Sequence, residues 1–361
     1  MSTTTILVVD DSLIFRHGVA EALSAESDLR VIGSVRNGVK AMEFIAARRP
    51  DLVTLDVEMP DMDGLATLEA IAQVNARQPS APPIGVIMLS ALTREGADTT
   101  IRALERGAFD FVGKPHTSSE QESIAYLKRE LVPRIRQFAF RRGAGTGAPT
   151  PAPQTAPATP TVARTSRTAA RAILIGVSTG GPRALADMMP DLCKVTTLPI
   201  LVVQHMPATF TASLAESLGK RCAHRSKEGE DGELVAAQTL YIAPGGRHML
   251  VKRGPTGETI IALTDQPPEN GCRPSVDVLF RSAASVFDGA CIAIVMTGMG
   301  SDGAQSLRML KRGGASTIAQ DEATSVVWGM PGSAVETGHV DVVAPLMKIP
   351  AAVQQMMIAN R

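Results

Sequence analysis

Three polar residues in the second half of the chain follow apolar runs that have the length of buried strands. Ser178 lies in GVSTGG after the run AILI, His205 follows PILVVQ, and Asp302 lies in TGMGSDG after CIAIVM. The residues from Gly176 to Gly180 fit G-x-S-x-G, a tight strand-to-helix turn that exposes a serine hydroxyl. A neighbouring histidine can take the serine proton, and an aspartate on its other nitrogen can stabilise the imidazolium. The pattern predicts nucleophilic hydrolysis by a Ser178–His205–Asp302 triad.

The same turn admits a second interpretation, as a phosphate-binding loop. Gly176, Ser178 and Gly181 have the spacing of G-x-G-x-x-G, with serine in the middle place. A dinucleotide site would need an acid at the end of the next strand, where this sequence has Gln204 and His205. No Lys-Ser/Thr pair follows, so the run is not a Walker loop. The order Ser, His, Asp also differs from that of α/β-hydrolases, which argues against that fold but not against the chemistry.

Two further features would complete a catalytic cleft around the serine. The helix that follows Ser178 has unpaired N–H groups at its N-terminus, and these could bind an oxyanion. His248, in the turn-rich run APGGRHM, is a further candidate for the base and could line the same cleft.

A second group of polar residues follows the predicted strands of the first half of the chain. These residues are Asp10, Asp11, Asp56, Ser90 and Lys114. Carboxylates crowded at one sheet edge repel one another unless a cation neutralises them. Hard oxygen ligands suit Mg²⁺, which often shares its coordination shell with a phosphate. One carboxylate left free could attack phosphorus and form an acyl phosphate, with Lys114 balancing the charge. The alternative is that Asp10 and Asp11 only cap the first helix.

Parallel sheets would bring both groups together, because ligands bind at the carboxyl ends of such strands. We predict strands over residues 5–9, 30–33, 52–55, 84–89, 109–112, 172–175, 200–203, 240–242 and 291–296. Helix-length segments separate these short apolar runs, which predicts α/β domains with doubly wound parallel sheets covered by helices on both faces. Residues 143–170 are almost all Ala, Pro, Thr and Gly, and such a segment cannot bury enough surface to fold. We therefore predict a flexible linker between domains at 1–142 and 171–361.

Composition excludes several classes of protein. Lys+Arg and Asp+Glu number 36 each, for a formal net charge of +0, which argues against a nucleic-acid partner. No apolar run approaches the ~18 residues of a membrane span, which predicts no direct membrane insertion. The N-terminal run MSTTTILVVDDS lacks the basic and long apolar regions of a secretory signal. The four cysteines fit no CxxC pair or zinc cluster, which predicts reduced thiols in a cytosolic protein.

Residues 5–136 resemble the response-regulator receiver family. The matching runs are VVDDS, DVEMPDMDG, LSA and GKP. The resemblance implies a flavodoxin-like domain in which Asp56 is the phosphoacceptor. The residues that it assigns to a magnesium ion are Asp10, Asp11, Asp56 and the backbone carbonyl of Glu58. The residues that it assigns to the phosphoryl oxygens and the aromatic switch position are Lys114, Ser90 and Phe111.

Residues 171–358 resemble the catalytic domain of chemotaxis protein-glutamate methylesterases of the CheB type. The matching runs are GVSTGGP, VVQHM, IAPGGRHM, RPSVDVLF and TGMGSDGA. The resemblance implies a Rossmann-like domain with Ser178 as nucleophile, His205 as general base and acid, and Asp302 as the orienting carboxylate. It also implies an oxyanion hole formed by backbone N–H groups around Thr179 and Met299.

A receiver, a linker and this catalytic domain, in that order, form the layout of CheB-type response regulators. The layout implies a cytoplasmic enzyme that hydrolyses glutamyl methyl esters on chemoreceptor helices, releases methanol and is activated when a chemotaxis histidine kinase phosphorylates it. The esterase reaction would need no cofactor, and some family members also deamidate receptor glutamines. Two alternatives stay open: an esterase of the same mechanism in another sensory pathway, and a non-catalytic phospho-switch that only binds a partner.

Overall fold

The computed structural model describes residues 3–115, 119–144 and 169–359. They fall into two compact units, within residues 1–159 and 160–361. Of the predicted linker, residues 143 and 144 lie in a helix, and residues 145–168 lie outside the described residues. None of the described helices is both long and apolar enough to cross a membrane.

The described part of the first unit alternates strands and helices. The strands are β1 (Thr4–Val9), β2 (Leu29–Val35), β3 (Leu52–Asp56), β4 (Gly85–Ser90) and β5 (Asp110–Gly113). The helices are α1 (Leu13–Ser24), α2 (Gly38–Ala47), α3 (Gly64–Arg77), α4 (Arg94–Glu105) and α5 (Glu120–Ala144). All the strand pairs are parallel, in the order β2-β1-β3-β4-β5. This is the flavodoxin-like order, in which the chain reverses direction across the sheet between β1 and β3.

The strands of this unit are continuous runs of apolar residues because they are buried. Every residue of β3 and β4 is buried, so both faces of the sheet are covered. Register pairs Val9 with Leu55, so Asp10, which follows β1, and Asp56, the last residue of β3, lie at one edge of the sheet. The cap of α1 is Ser12, whose hydroxyl accepts from the Phe15 N–H. The interpretation of Asp10 and Asp11 as the cap of that helix is therefore wrong.

The second unit contains a larger sheet and a separate hairpin. The described strands are β6 (Ala172–Val177), β7 (Ile200–Gln204), β8 (Arg225–Glu228), β9 (Thr239–Ile242), β10 (His248–Arg253), β11 (Thr259–Thr264), β12 (Cys291–Val295), β13 (Ser316–Gln320) and β14 (Val342–Ala344). The described helices are α6 (Gly181–Val195), α7 (Ala208–Gly219), α8 (Val276–Phe287), α9 (Ala304–Arg312), α10 (Gly329–Glu336) and α11 (Ile349–Ala359), with a 3₁₀ turn over Leu346–Lys348.

Seven strands of this unit form one parallel sheet in the order β14-β13-β12-β6-β7-β9-β8. Without the edge strand β8, this is the doubly wound Rossmann-like order, and it reverses between β6 and β12. The strands β10 and β11 pair antiparallel outside the sheet. The fold predicted from the apolar runs is confirmed: two doubly wound parallel sheets, with the crevice of the second at the ends of β6 and β12.

Candidate functional site

The carboxyl ends of β6, β7 and β12 meet where the order of the second sheet reverses. Ser178 directly follows β6, His205 directly follows β7, and the loop 297–303 begins two residues beyond β12. The Ser178 N–H donates to the Thr297 carbonyl at 2.9 Å, and the His205 N–H donates to the Val177 carbonyl at 3.1 Å. These bonds extend the sheet pairing beyond the strands, so the predicted nucleophile, base and acid loop are held side by side.

Two glycines allow the backbone to close around Ser178. Gly180 has a φ of 78°, in the left-handed region, and leads into helix α6. A Cβ on Gly298 would lie 2.7 Å from the Ser178 Cβ, so only glycine lets the loop after β12 come this close. Ser178 is half-buried, and among the described residues no hydrogen bond joins its hydroxyl to His205. Such catalytic hydrogen bonds often tighten only when substrate is bound.

The imidazole of His205 is held by a carboxylate on one nitrogen. Its Nε2 lies 2.8 Å from Asp302 Oδ2, and its Nδ1 lies 3.4 Å from Cys272 Sγ. A carboxylate only accepts, so Nε2 carries the proton of a neutral ring and Nδ1 is its acceptor. Burial alone would lower the pKa of His205, but the hydrogen bonds to Asp302 and Cys272 outweigh it and raise the pKa to about 9. The nitrogen available to receive a serine proton is therefore Nδ1.

The Asp302 carboxylate is buried and bonded on both oxygens. Its five donors are His205 Nε2, Asn270 Nδ2, the Ser275 hydroxyl and the backbone N–H groups of Val276 and Asp277, at 2.6–3.1 Å. Val276 opens helix α8, whose N-terminus favours a negative charge. Burial alone would raise the pKa of Asp302, but His205 and these donors hold it well below its usual range. Asp302 is thus a fixed anion behind the imidazole.

A further layer of residues fixes the donors of Asp302. The Asn270 amide bridges Asp302 Oδ1 and Asp277 Oδ2, both at 2.8 Å. His248 is 1% exposed, accepts the Ser275 N–H at Nδ1 and faces the Pro267 carbonyl with Nε2, both at 3.1 Å. Backbone groups thus occupy both its ring nitrogens, in contrast to the expectation that His248 lines the cleft. Its place is behind Ser275, as a support for the start of α8.

The two residues predicted to supply an oxyanion hole adjoin the serine itself and the glycine that packs against it. Thr179 follows Ser178 directly, and its carbonyl accepts from the Thr297 hydroxyl at 2.9 Å. Met299 follows Gly298, which packs against the Ser178 Cβ. Their backbone N–H groups as oxyanion donors stay a prediction.

The edge of the first sheet carries the predicted acidic pocket. Carboxylate oxygens of Asp10, Asp11 and Asp56 lie within 4.8 Å of one another. Lys114 Nζ lies 2.8 Å from both Asp10 Oδ2 and Asp56 Oδ2. Burial, and then the charge of Asp10, raise the pKa of Asp56 to about 6. Burial would lower the pKa of Lys114, but its bonds to the two carboxylates raise it. Three crowded carboxylates with one lysine leave an excess of negative charge, and this donor set fits Mg²⁺.

Ser90, Phe111 and Glu58 are the remaining residues predicted for the receiver site. The Ser90 hydroxyl lies 3.1 Å from the Ala91 carbonyl and 3.2 Å from the Gly96 carbonyl, so it turns toward the start of α4. Phe111 is buried in β5. The backbone N–H of Glu58 donates to the Asp56 carboxylate, which places the Glu58 backbone beside the pocket. Contacts of Ser90 with a phosphoryl group and of the Glu58 carbonyl with Mg²⁺ stay predictions.

Sequence reasoning missed the segment that surrounds Asp302 and the base. Its members are Asn270, Cys272, Ser275 and Asp277. Ser275 and Asp277 lie in the run RPSVDVLF, which matches the methylesterase family but assigns neither residue a role. Cys272 precedes that run and has no informative cysteine spacing, so nothing in the sequence pointed to the histidine beside it.

Comparisons with known proteins show the family of the chain. Residues 173–353 match the family model for the CheB methylesterase, and residues 6–125 match that for the response regulator receiver domain. A protein-glutamate methylesterase/protein-glutamine glutaminase of Desulfotalea psychrophila is 44% identical, with 97% of each chain covered. One of Geobacillus kaustophilus is 43% identical, with 99% of each covered. The CheB methylesterase catalytic domain of Thermotoga maritima is 41% identical with a TM-score of 0.50, covering 52% of this chain and 100% of that one.

Proposed function

Because the chain belongs to the CheB methylesterase family, we propose that its Ser178–His205–Asp302 site hydrolyses glutamyl methyl esters on chemoreceptors. The chain is an ester hydrolase of the protein-glutamate methylesterase class with a receiver domain. The observation that supports these residues most strongly is the 2.8 Å contact of His205 with the buried Asp302 carboxylate, at the strand edge where Ser178 lies. Methanol release from methylated chemoreceptor membranes tests the proposal.

The geometry supports a specific path for the proton. Ser178 attacks the ester carbonyl while His205 Nδ1 takes the hydroxyl proton, and Asp302 stabilises the imidazolium that forms. Backbone N–H groups at Thr179 and Met299 would bind the oxyanion. His205 then returns the proton to the departing methoxide, and methanol leaves. Water, deprotonated by the same nitrogen, hydrolyses the acyl-enzyme and restores the glutamate carboxylate.

The same acyl transfer can act on an amide. Attack of Ser178 on a glutamine side chain would release ammonia, with His205 supplying its proton. The acyl-enzyme would then be the same glutamyl ester and would give the same carboxylate. We propose that receptor glutamines are a second substrate, since the curated relatives are named as both methylesterases and glutaminases.

The receiver would control this chemistry through Asp56. Asp10, Asp11, Asp56 and the Glu58 carbonyl would hold Mg²⁺, and a bound Mg²⁺ would supply positive charge to offset the crowded carboxylates and an incoming phosphoryl group. Asp56 accepts the phosphoryl group, and Lys114 contacts the added oxygens from its position 2.8 Å away. A chemotaxis histidine kinase is the proposed donor. We propose that both reactions occur in the cytoplasm, where the receptor helices and the kinase meet.

Replacing Asp56 by asparagine should abolish activation by a small phosphodonor and leave the basal rate in place. Asparagine keeps the shape of the side chain but cannot form an acyl phosphate. The variant should lose the whole of the activation, which we expect to be about 5–150-fold in the rate of methanol release. The exposed Asp98 of α4 provides a matched control, since Asp98→Asn should keep full activation. Activation that persists in Asp56→Asn would show that the phosphodonor acts elsewhere.

The pH dependence of kcat/KM should report His205 as the base. His205 accepts the serine proton only when neutral, and its pKa is raised to about 9. Activity should therefore keep rising with pH from the ordinary imidazole value of about 6.5 through about 9, and level off only above that pH. Initial rates of methanol release from pH 6 to about 9.5, corrected with a Ser178→Ala blank, measure this. A profile already flat below the ordinary imidazole value would contradict the assignment of His205.

A further inference from the structure

The second nitrogen of the catalytic histidine faces a thiol. Cys272 Sγ lies 3.4 Å from His205 Nδ1. Since Nε2 donates to Asp302, Nδ1 is the nitrogen that faces the sulfur, and in the neutral ring it accepts from the Cys272 S–H. The nitrogen that Ser178 needs in the proposed mechanism is thus engaged by a thiol, and thiols give up a proton more easily than hydroxyls do.

Cysteine, imidazole and carboxylate here have the arrangement that activates a thiol nucleophile. Proton transfer from Cys272 to Nδ1 would give a thiolate beside an imidazolium, which the buried Asp302 stabilises at 2.8 Å. Cys272 is half-buried, and its neighbours Gly271 and Arg273 are exposed. We expect a small reagent to reach the sulfur from the side of these exposed neighbours.

We propose that Cys272 is a peroxide-reactive thiol activated by His205, and that its oxidation switches off the esterase. The Cys272 sulfur attacks one oxygen of hydrogen peroxide, the O–O bond breaks, and sulfur is oxidised to a sulfenic acid. The leaving hydroxide takes the proton from His205 Nδ1 and departs as water. Only the predicted loss of esterase activity rests on the proposed function; the reactivity of the thiol does not.

Oxidation would stop catalysis through the base. The sulfenic acid adds an oxygen to a sulfur that already lies 3.4 Å from Nδ1, so its O–H occupies that nitrogen. Ser178 then has no acceptor for its proton. Sulfenic acids are reduced by thiols, so the block is reversible.

The other cysteines offer a comparison within the same chain. Cys193 and Cys291 are buried, and burial raises the pKa of Cys291 to about 12. Cys222 is half-buried like Cys272, but the hydrogen bond with Cys193, and then burial, raise its pKa far above the ordinary value. Cys222 is therefore a matched control, with similar exposure and, within the described ranges, no histidine hydrogen-bonded to its sulfur.

The first arm of the test measures chemistry at each thiol. The full chain is treated with hydrogen peroxide, sulfenic acid is trapped with dimedone, and the labelled peptides are quantified by mass spectrometry over time. Cys272 should be labelled at least about tenfold faster than Cys222, and His205→Gln should slow labelling of Cys272 by about tenfold or more. Equal labelling of the two cysteines, or labelling of Cys272 that ignores the loss of His205, would overturn the proposal.

The second arm follows methanol release, with each variant normalised to its own untreated rate. When dimedone is present, wild type and Cys222→Ser should lose activity in step with the labelling of Cys272. When dimedone is absent, both proteins should recover their activity after treatment with dithiothreitol. The Cys272→Ser variant should keep its own untreated rate of methanol release throughout the treatment. Full modification of Cys272 without loss of activity would refute the switch. If the untreated enzyme releases no methanol, the proposed function fails, while the labelling arm still decides whether the thiol is activated.

Discussion

Replacing Ser178 by alanine is expected to lower methanol release by about 10⁴-fold or more, because no other group forms the acyl-enzyme. The substitution removes only a half-buried hydroxyl and leaves the backbone bonds from Ser178 to Thr297 and Gly181 in place. Folding should therefore be unaffected. Methanol release under single-turnover conditions, with circular dichroism as a check on folding, measures the effect.

A second serine on the same domain serves as the control. Ser285 is exposed on α8, and Ser285→Ala should leave the rate within about twofold, as for most surface changes. If Ser178→Ala kept a normal rate, the domain would be a binding module or would use another nucleophile. That outcome would favour the phospho-switch alternative over an esterase.

Replacing Asp302 by asparagine is expected to lower methanol release by about 10⁴-fold, although the side chains have nearly the same shape. Every donor around Asp302 points at one of its two oxygens. If the new amide faced His205 Nε2, it would force the ring proton onto Nδ1, and the base could no longer accept from Ser178.

The opposite orientation of the asparagine would carry a different penalty. Its NH₂ group would then face the Ser275 hydroxyl, the Asn270 amide and the Asp277 N–H, so buried donors would oppose one another. Stability should fall by about 1–3 kcal/mol in either orientation. Asp288→Asn, at the exposed end of α8, is the control and should change neither quantity appreciably. A near-normal rate for Asp302→Asn would remove Asp302 from the mechanism.

The ends of the strands could be predicted because buried parallel strands consist of continuous runs of apolar residues. The runs before Asp10, Asp56, Ser178 and His205 all became strands that end within two residues of the prediction. Strand β13 was not among the predicted strands. β13 has the sequence STIAQ and is fully buried, since Gln320 and Thr317 find hydrogen-bond partners inside the protein.

The catalytic groups could be predicted because they follow strand ends, but the tertiary contacts could not. The contacts of Asn270 and Ser275 with Asp302, and of Cys272 with His205, come from the loop between β11 and α8. The position of that loop does not follow from a strand end. His248 shows the opposite error, since a histidine in a glycine-rich turn suggested a cleft residue and became a buried support for Ser275. The role of Ser90 depends in the same way on the orientation of its hydroxyl toward α4.

Methanol release from methylated chemoreceptor membranes, with Mg²⁺ and with or without a small phosphodonor, tests the central claim most directly. We predict that wild type releases methanol, that the phosphodonor raises the rate by about 5–150-fold, and that Ser178→Ala releases none under either condition. Release that is indifferent to the phosphodonor and persists in Ser178→Ala would contradict both the serine mechanism and the control by Asp56.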